Sequence, residues 1–270
     1  MDELIRGGGG PSRPIPITAF HLGRCAARVD TGLHGDREEP FAWRPRMLAP
    51  ELAAEILAVR RARPPLAAVE EAIAAVISGN SAVGREIAEL TPGARTLVVR
   101  LALETVGAVV QHGAMNPETR FGVRSHQWGA GPFSLQAKSF IRRPGPTGAP
   151  NGTIGLLSVN DDPRVSLGHL ALVVTLAERT GPEVVAGFAT ASGGWQRCIV
   201  DESFLDAALA RVLDRIGEMA GARAGVAPTR EPGGWCTWCA LEADCAVRLD
   251  AATRGEIRSG GVPVDMSLGL

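Results

Sequence analysis

The chain has 270 residues, 45% of them hydrophobic, which is enough apolar material for one substantial core. Its 28 Lys plus Arg stand against 29 Asp plus Glu, so no whole-molecule field draws in nucleic acid or an anionic membrane, and any phosphate contact must come from a local patch. The longest apolar stretch, residues 97–110, is interrupted by Arg100 and Glu104 and falls short of the roughly 20 apolar residues of a membrane span. Residues 1–13 carry acidic side chains and a Gly run but no apolar h-region, so the expectation is a cytoplasmic protein with no membrane partner.

Residues 1–13 and 258–270 are punctuated by Gly, Pro and Ser and read as loose ends on a single domain, 14–257. Pro50 suits the first turn of a helix running to about Arg61, before Pro64-Pro65. Helical spacing of apolar residues continues over 67–77 and again over 83–90. After Pro92-Gly93, the run Leu97, Val98, Leu101, Val106, Val109, Val110 has the wide apolar face of a buried helix.

The period then changes. Residues 120–128 and 133–142 read as two strands joined by the turn Gly129-Ala130-Gly131-Pro132, and a Pro- and Gly-rich loop leads to a short apolar strand at 153–159. Residues 165–179 return to helix, and 183–190 with 197–200 form another strand pair. Ser203 is the expected cap of a last helix, with Phe204, Leu205, Leu209, Val212, Leu213 and Ile216 on one face. The expected fold class is α/β (α+β), with a helical N-terminal half, a mixed central sheet flanked by helices, and a cysteine-bearing C-terminal region.

Five cysteines in a chain of this kind point to metal or cluster ligation rather than to a disulfide framework. Cys236, Cys239 and Cys245 form a C-x2-C-x5-C group just after the last long helix, and a two-residue spacing lets one tight turn aim two sulfurs at one centre. A closed site needs a fourth ligand, and Cys25 and Cys198 compete for the role. Cys198 lies in the apolar run Cys198-Ile199-Val200, where a buried thiol acts as a small hydrophobe; Cys25 sits in the Arg-bearing segment 18–28. A zinc knuckle and unligated thiols are the plainer alternatives to an iron-sulfur cluster.

One cysteine near the start followed by a C-terminal C-x2-C-x5-C resembles the iron-sulfur branch of the PD-(D/E)XK nucleases, the RecB-like domains of helicase-nuclease complexes and the related exonucleases of CRISPR adaptation. The resemblance implies a 4Fe-4S cluster on Cys25, Cys236, Cys239 and Cys245, tying the two ends of the domain together. It also implies DNA as a partner, with a helicase or another DNA-processing subunit beside it. A second resemblance, to the WhiB-like regulators with the same C-x2-C-x5-C, implies a redox-responsive regulator, but there the fourth cysteine lies much closer. Trp235 and Trp238 alternate with the cysteines, and shielding a cluster from water is their expected role.

The nuclease pattern places an acid on one strand and an acid or Gln two residues before a Lys on the next, with a carboxylate on the preceding helix. The carboxylates hold Mg2+ or Mn2+, which activates water, while the lysine orients it. Gln136-Ala137-Lys138 matches the second strand, and Lys138 is the only lysine in the chain. The first acid is missing, because no Asp or Glu occurs between Glu118 and Asp161. His126 is the candidate metal ligand in its place, Glu118 could reach in from the strand start, and Glu104 is the candidate helical carboxylate, with an Arg100 ion pair as its plainer role. The Gln-x3-Tyr often found on the following helix has only His169 and Val173 at the nearest positions. These losses beside a retained Gln-x-Lys leave two readings open: metal-dependent DNA cleavage, or an inactive nuclease-fold subunit of a DNA-processing or defence complex. Three local basic groups could meet phosphates: Arg24 with Arg28, Arg60 with Arg61 and Arg63, and Arg142 with Arg143.

Overall fold

The computed structural model describes residues 14–18, 22, 43–60, 67–78, 81–111, 118–130, 133–145, 152–159, 163–189, 194–224 and 226. The four expected cluster ligands, Cys25, Cys236, Cys239 and Cys245, lie outside the described residues, together with Trp235, Trp238, Arg24, Arg28, Arg61, Arg63 and both expected loose ends.

Among the described residues, four helices form the N-terminal layer: α1 (Trp43–Arg60), α2 (Ala67–Ser78), α3 (Ala82–Ala88) and α4 (Pro92–Gln111). Helix α1 starts before Pro50 rather than at it. Leu48, Leu52 and Ile56, with Ala49, Ala53 and Leu57, make two adjacent buried rows at i+4 spacing, and burial of the first pair carries the helix back past the proline. The backbone bond that Pro50 cannot donate is offset by this packing on both sides of it. Ser81 caps α3, its side chain accepting the Gly84 N–H at 3.0 Å. A Cβ on Gly84 would lie 1.8 Å from the Val76 carbonyl oxygen, so α2 and α3 meet backbone to backbone. Arg95 of α4 closes the far end of α3, its Nε donating to the Leu90 carbonyl at 2.9 Å.

The sheet has six strands: β1 (Ile15–Ile17), β2 (Arg120–Ala130), β3 (Phe133–Arg143), β4 (Thr153–Val159), β5 (Val184–Ala189) and β6 (Gly194–Ile199). Helix α5 (Pro163–Glu178) links the parallel pair β4 and β5, and α6 (Glu202–Arg223) follows the antiparallel pair β5 and β6. Strand β3 is the organising strand. One of its edges pairs antiparallel with β2, and the other is shared, with β1 parallel along Phe133, Ser134 and Leu135 and β4 antiparallel along Ile141, Arg142 and Arg143. Strand β1 was not expected from the sequence; its exposed Pro16 sits between two buried isoleucines, as an edge position allows.

The sheet lies between two helical layers. On one side Phe140 and Leu157 pack with α1, α3 and α4; on the other, Ile15, Ile17 and Leu135 pack with Leu172 and Val173 of α5 and with Val212 and Met219 of α6. Helix α5 is buried continuously over 166–174, held between the sheet and α6. The cap of α6 is Asp201 rather than Ser203: its Oδ1 accepts the Phe204 N–H and the Ser203 hydroxyl, both at 2.8 Å. The buried row of α6 is Ala208, Val212, Arg215 and Met219, while Leu209 and Leu213, expected inside, are exposed. Helix α6 approaches α5 closely at Gly168, where a Cβ would lie 3.3 Å from the Ala208 Cβ. Cys198 is half-buried against Leu167, Ala171 and Val185, which is the small-hydrophobe role expected of it. No described helix is long and apolar enough to cross a membrane.

Candidate functional site

The β2–β3 hairpin carries most of the candidate residues, and its register decides which of them can meet. Ser125 pairs with Lys138, His126 with Ala137 and Gln127 with Gln136. Opposed residues share a face and neighbours along a strand alternate, so Ser125, Gln127, Gln136 and Lys138 point one way, and His126 and Ser139 the other. The structure therefore brings Gln136 and Lys138 together and places His126 on the opposite side of the sheet. His126 cannot take the place of the missing acid beside Lys138.

Lys138 meets a carboxylate that the sequence reading passed over. Its Nζ lies 2.5 Å from Glu51 Oε1 on α1, 87 positions away in the chain. The Glu51 side chain is largely covered, while that of Lys138 is 49% exposed. Glu55, one turn further along α1, hydrogen-bonds the Ser81 side chain and lies near Glu51. Burial holds its carboxyl above the ordinary value, with a smaller push from the Glu51 charge and an opposing pull from the Ser81 hydrogen bond. Spacing along α1 is the signal that could have found this pair, since i and i+4 share a helix face. Gln136 Nε2 donates to Ser134 Oγ at 3.2 Å, and Gln127 Nε2 donates to the same oxygen at 3.0 Å. The polar face of the hairpin thus consists of neutral amides and hydroxyls around one lysine.

Glu104 does not join this group. It sits on the solvent side of α4, opposite the buried row Val98, Ala102, Val106 and Val109, with Arg100 Nε at 3.9 Å. Glu118 pairs with Arg143 at 3.5 Å, at the end of β3 away from the hairpin turn. Arg142 and Arg143 are adjacent on a strand, so they leave opposite faces and do not form one basic patch.

On the α5 side, His126 is buried between two oxygens. Its Nε2 lies 2.8 Å from Ser139 Oγ and its Nδ1 lies 3.1 Å from Glu178 Oε1; Arg124 Nη2 is also 3.1 Å from that carboxylate oxygen. Desolvation pushes the imidazole below its ordinary value of 6.5, outweighing the opposite pull of Glu178. His169, at the position nearest the Gln of the family's helical motif, is buried in α5 with Nε2 2.9 Å from the Gln136 carbonyl. Burial lowers its pKa as well. The carbonyl can only accept, so Nε2 carries the proton there. Among the described residues, no group of three or more His, Cys, Asp or Glu is placed to hold a metal ion.

The chain matches no family profile and no curated protein. Among solved structures it is similar to a protein of Eubacterium rectale described as a "Putative exonuclease", with 10% identity, a TM-score of 0.47, and coverage of 87% of this chain and 89% of that one.

Proposed function

We propose that the chain is an iron-sulfur protein of the RecB-like nuclease type that binds DNA as a non-cutting subunit of a DNA-processing complex. The observation that carries this reading is the state of Lys138. It keeps the Gln-x-Lys spacing in the middle of the sheet, yet it is paired with Glu51, and β2 and β3 set no carboxylate beside it. A cutting site of this kind uses carboxylates from strands to hold a divalent ion over the phosphate. Among the described residues, the nearby carboxylates, Glu51 and Glu55, both come from one helix. Cys25, Cys236, Cys239 and Cys245 would supply the four thiolates of a 4Fe-4S cluster, and arginines would supply the phosphate contacts.

A second reading, cleavage dependent on Mg2+ or Mn2+, is favoured by Glu55. A carboxylate held above its ordinary pKa by burial and a neighbouring carboxylate is a group whose charge a divalent cation would stabilise.

Labelled single- and double-stranded oligonucleotides, followed for anisotropy and for fragment length with Mg2+ or Mn2+, separate the two. The non-cutting reading expects binding that weakens steeply with salt, and no cleavage above the Lys138→Ala background. Cleavage lost in both Lys138→Ala and Glu55→Gln, with binding kept, would install the second reading instead. A folded wild type that neither binds nor cuts at low salt overturns both.

A further inference from the structure

Ser139, His126 and Glu178 are not used by the DNA-binding reading, and they stand on the other face of the sheet. We propose that they form a hydrolytic relay, with Ser139 as the nucleophile, acting on small carboxylic esters that carry an anionic group.

The geometry follows the order nucleophile, base, acid. Ser139 Oγ is 2.8 Å from His126 Nε2, and His126 Nδ1 is 3.1 Å from Glu178 Oε1. A carboxylate can only accept, so a hydrogen bond across this 3.1 Å contact puts the imidazole proton on Nδ1 and leaves Nε2 as the acceptor of the Ser139 hydroxyl proton. Three elements hold these groups: β2 carries His126, β3 carries Ser139, and the last residue of α5 is Glu178. Arg124 meets the same Glu178 carboxylate oxygen at 3.1 Å and helps hold it in place. A neutral imidazole is the form a base requires, and burial favours it here.

The relay opens on a cavity of about 200 Å³ whose lining includes His126, Ser139, Gly122, Arg120, Arg124 and Arg142. Three arginines around one small cavity select for negative charge, and Arg124 and Arg142 lie close enough to His126 to act on its charge. The β2–β3 register skips Gly122 and Val123, between Phe121 and Arg124, which sets backbone outside the regular ladder at the cavity wall.

In the reaction, the Ser139 O–H bond breaks as its proton passes to His126 Nε2, and Oγ bonds to the ester carbonyl carbon. The carbonyl electron pair moves onto oxygen and returns as the C–O bond to the alcohol breaks, with the alcohol taking the proton from Nε2. Water then attacks the acyl-serine through the same relay, yielding the carboxylic acid and restoring the Ser139 hydroxyl. The net reaction is ester plus water to acid plus alcohol.

The test uses the intact chain with a fluorophosphonate probe and peptide mapping by mass spectrometry. The expected adduct is on Ser139, absent in Ser139→Ala and at least about tenfold slower to form in His126→Gln and in Glu178→Gln. Labelling should also fall in acid as His126 protonates among Arg124, Arg142 and Glu178. Of two p-nitrophenyl esters, the succinate should be hydrolysed faster than the butyrate. Folded wild type without an adduct on Ser139 overturns the proposal, whatever the variants do. Labelling undiminished in a folded His126→Gln overturns the relay, and preference for the butyrate overturns the anionic substrate.

Discussion

His126 stands opposite Ala137 in the β2–β3 ladder, one residue short of Lys138, and this offset sends the imidazole and the ammonium to opposite faces of the sheet. Each then finds its own helix: α1 brings Glu51 to Lys138, and α5 brings Glu178 to His126. One hairpin therefore carries two polar centres that share no side chain.

The Glu51–Lys138 pair should add little to stability, because the lysine is half exposed and water screens the charges. In a double-mutant cycle with Glu51→Gln and Lys138→Met, read by urea unfolding, the expected coupling is below about 1 kcal/mol. A coupling several times larger would contradict the exposed geometry.

Glu55 should act in the opposite sense. Its folded-state pKa is raised above the ordinary 4.5, so its favourable share of stability is complete below that pH and is lost as pH rises through the raised value. At neutral pH the ionised carboxylate works against folding. Glu55→Gln, which keeps a partner for Ser81, should therefore raise Tm at about pH 7 and leave it nearly unchanged at about pH 4. Thermal melts at the two pH values decide it.

Both buried histidines are depressed, so the unfolded chain takes up protons before the folded one does. The stability linked to this is present above the ordinary value of 6.5 and is lost as pH falls through the lowered folded values. Among the described residues, His169 Nδ1 has no hydrogen-bond partner, and this is where a second proton would go. Melting temperature should decline from about pH 7.5 to about pH 5.5, with a shallower decline in His169→Gln. The measured quantity is the slope with pH, so a lower absolute Tm in the variant does not confuse it.

The cluster proposal makes its own prediction. Protein purified without oxygen should be brown, with about four iron per chain. Cys236→Ser and Cys25→Ser should each lose iron, whereas Cys198→Ser, a change at a half-buried packing position, should keep it. Stoichiometric zinc without iron would remove the nuclease-branch reading.

Much of this architecture can be read from apolar periodicity. Helices α2, α4 and α5 and the long hairpin announce themselves through apolar spacing set between turn residues; α4 buries one regular stripe, whereas α5 is buried continuously over 166–174. Strand β1 does not, since three residues are too few to display a period. The start of α1 is hidden because Pro50 resembles an opening, and only tertiary burial of Leu48 and Ala49 shows that the helix has already begun. At the site, alternation alone identifies the face shared by Gln136 and Lys138. The register of His126 was not legible: the expected turn at 129–132 differs from the observed pairing of Ala130 with Phe133, which sets His126 opposite Ala137. Glu51 was legible only as half of an i, i+4 pair with Glu55, because nothing local to α1 says which strand it will cross.

The shared edge of β3 bears on where this chain can be shortened. Ile15, Pro16 and Ile17 are the residues that cover the start of β3, while β4 covers only its end. A version beginning after Ile17 would keep every described helix and five of the six described strands, yet it would bare the backbone of Phe133, Ser134 and Leu135 beside an apolar core that has just lost two isoleucines. Such an edge is a template for another molecule's strand. The small N-terminal segment thus guards against self-association, and trimming it would be expected to produce aggregates rather than a smaller soluble protein.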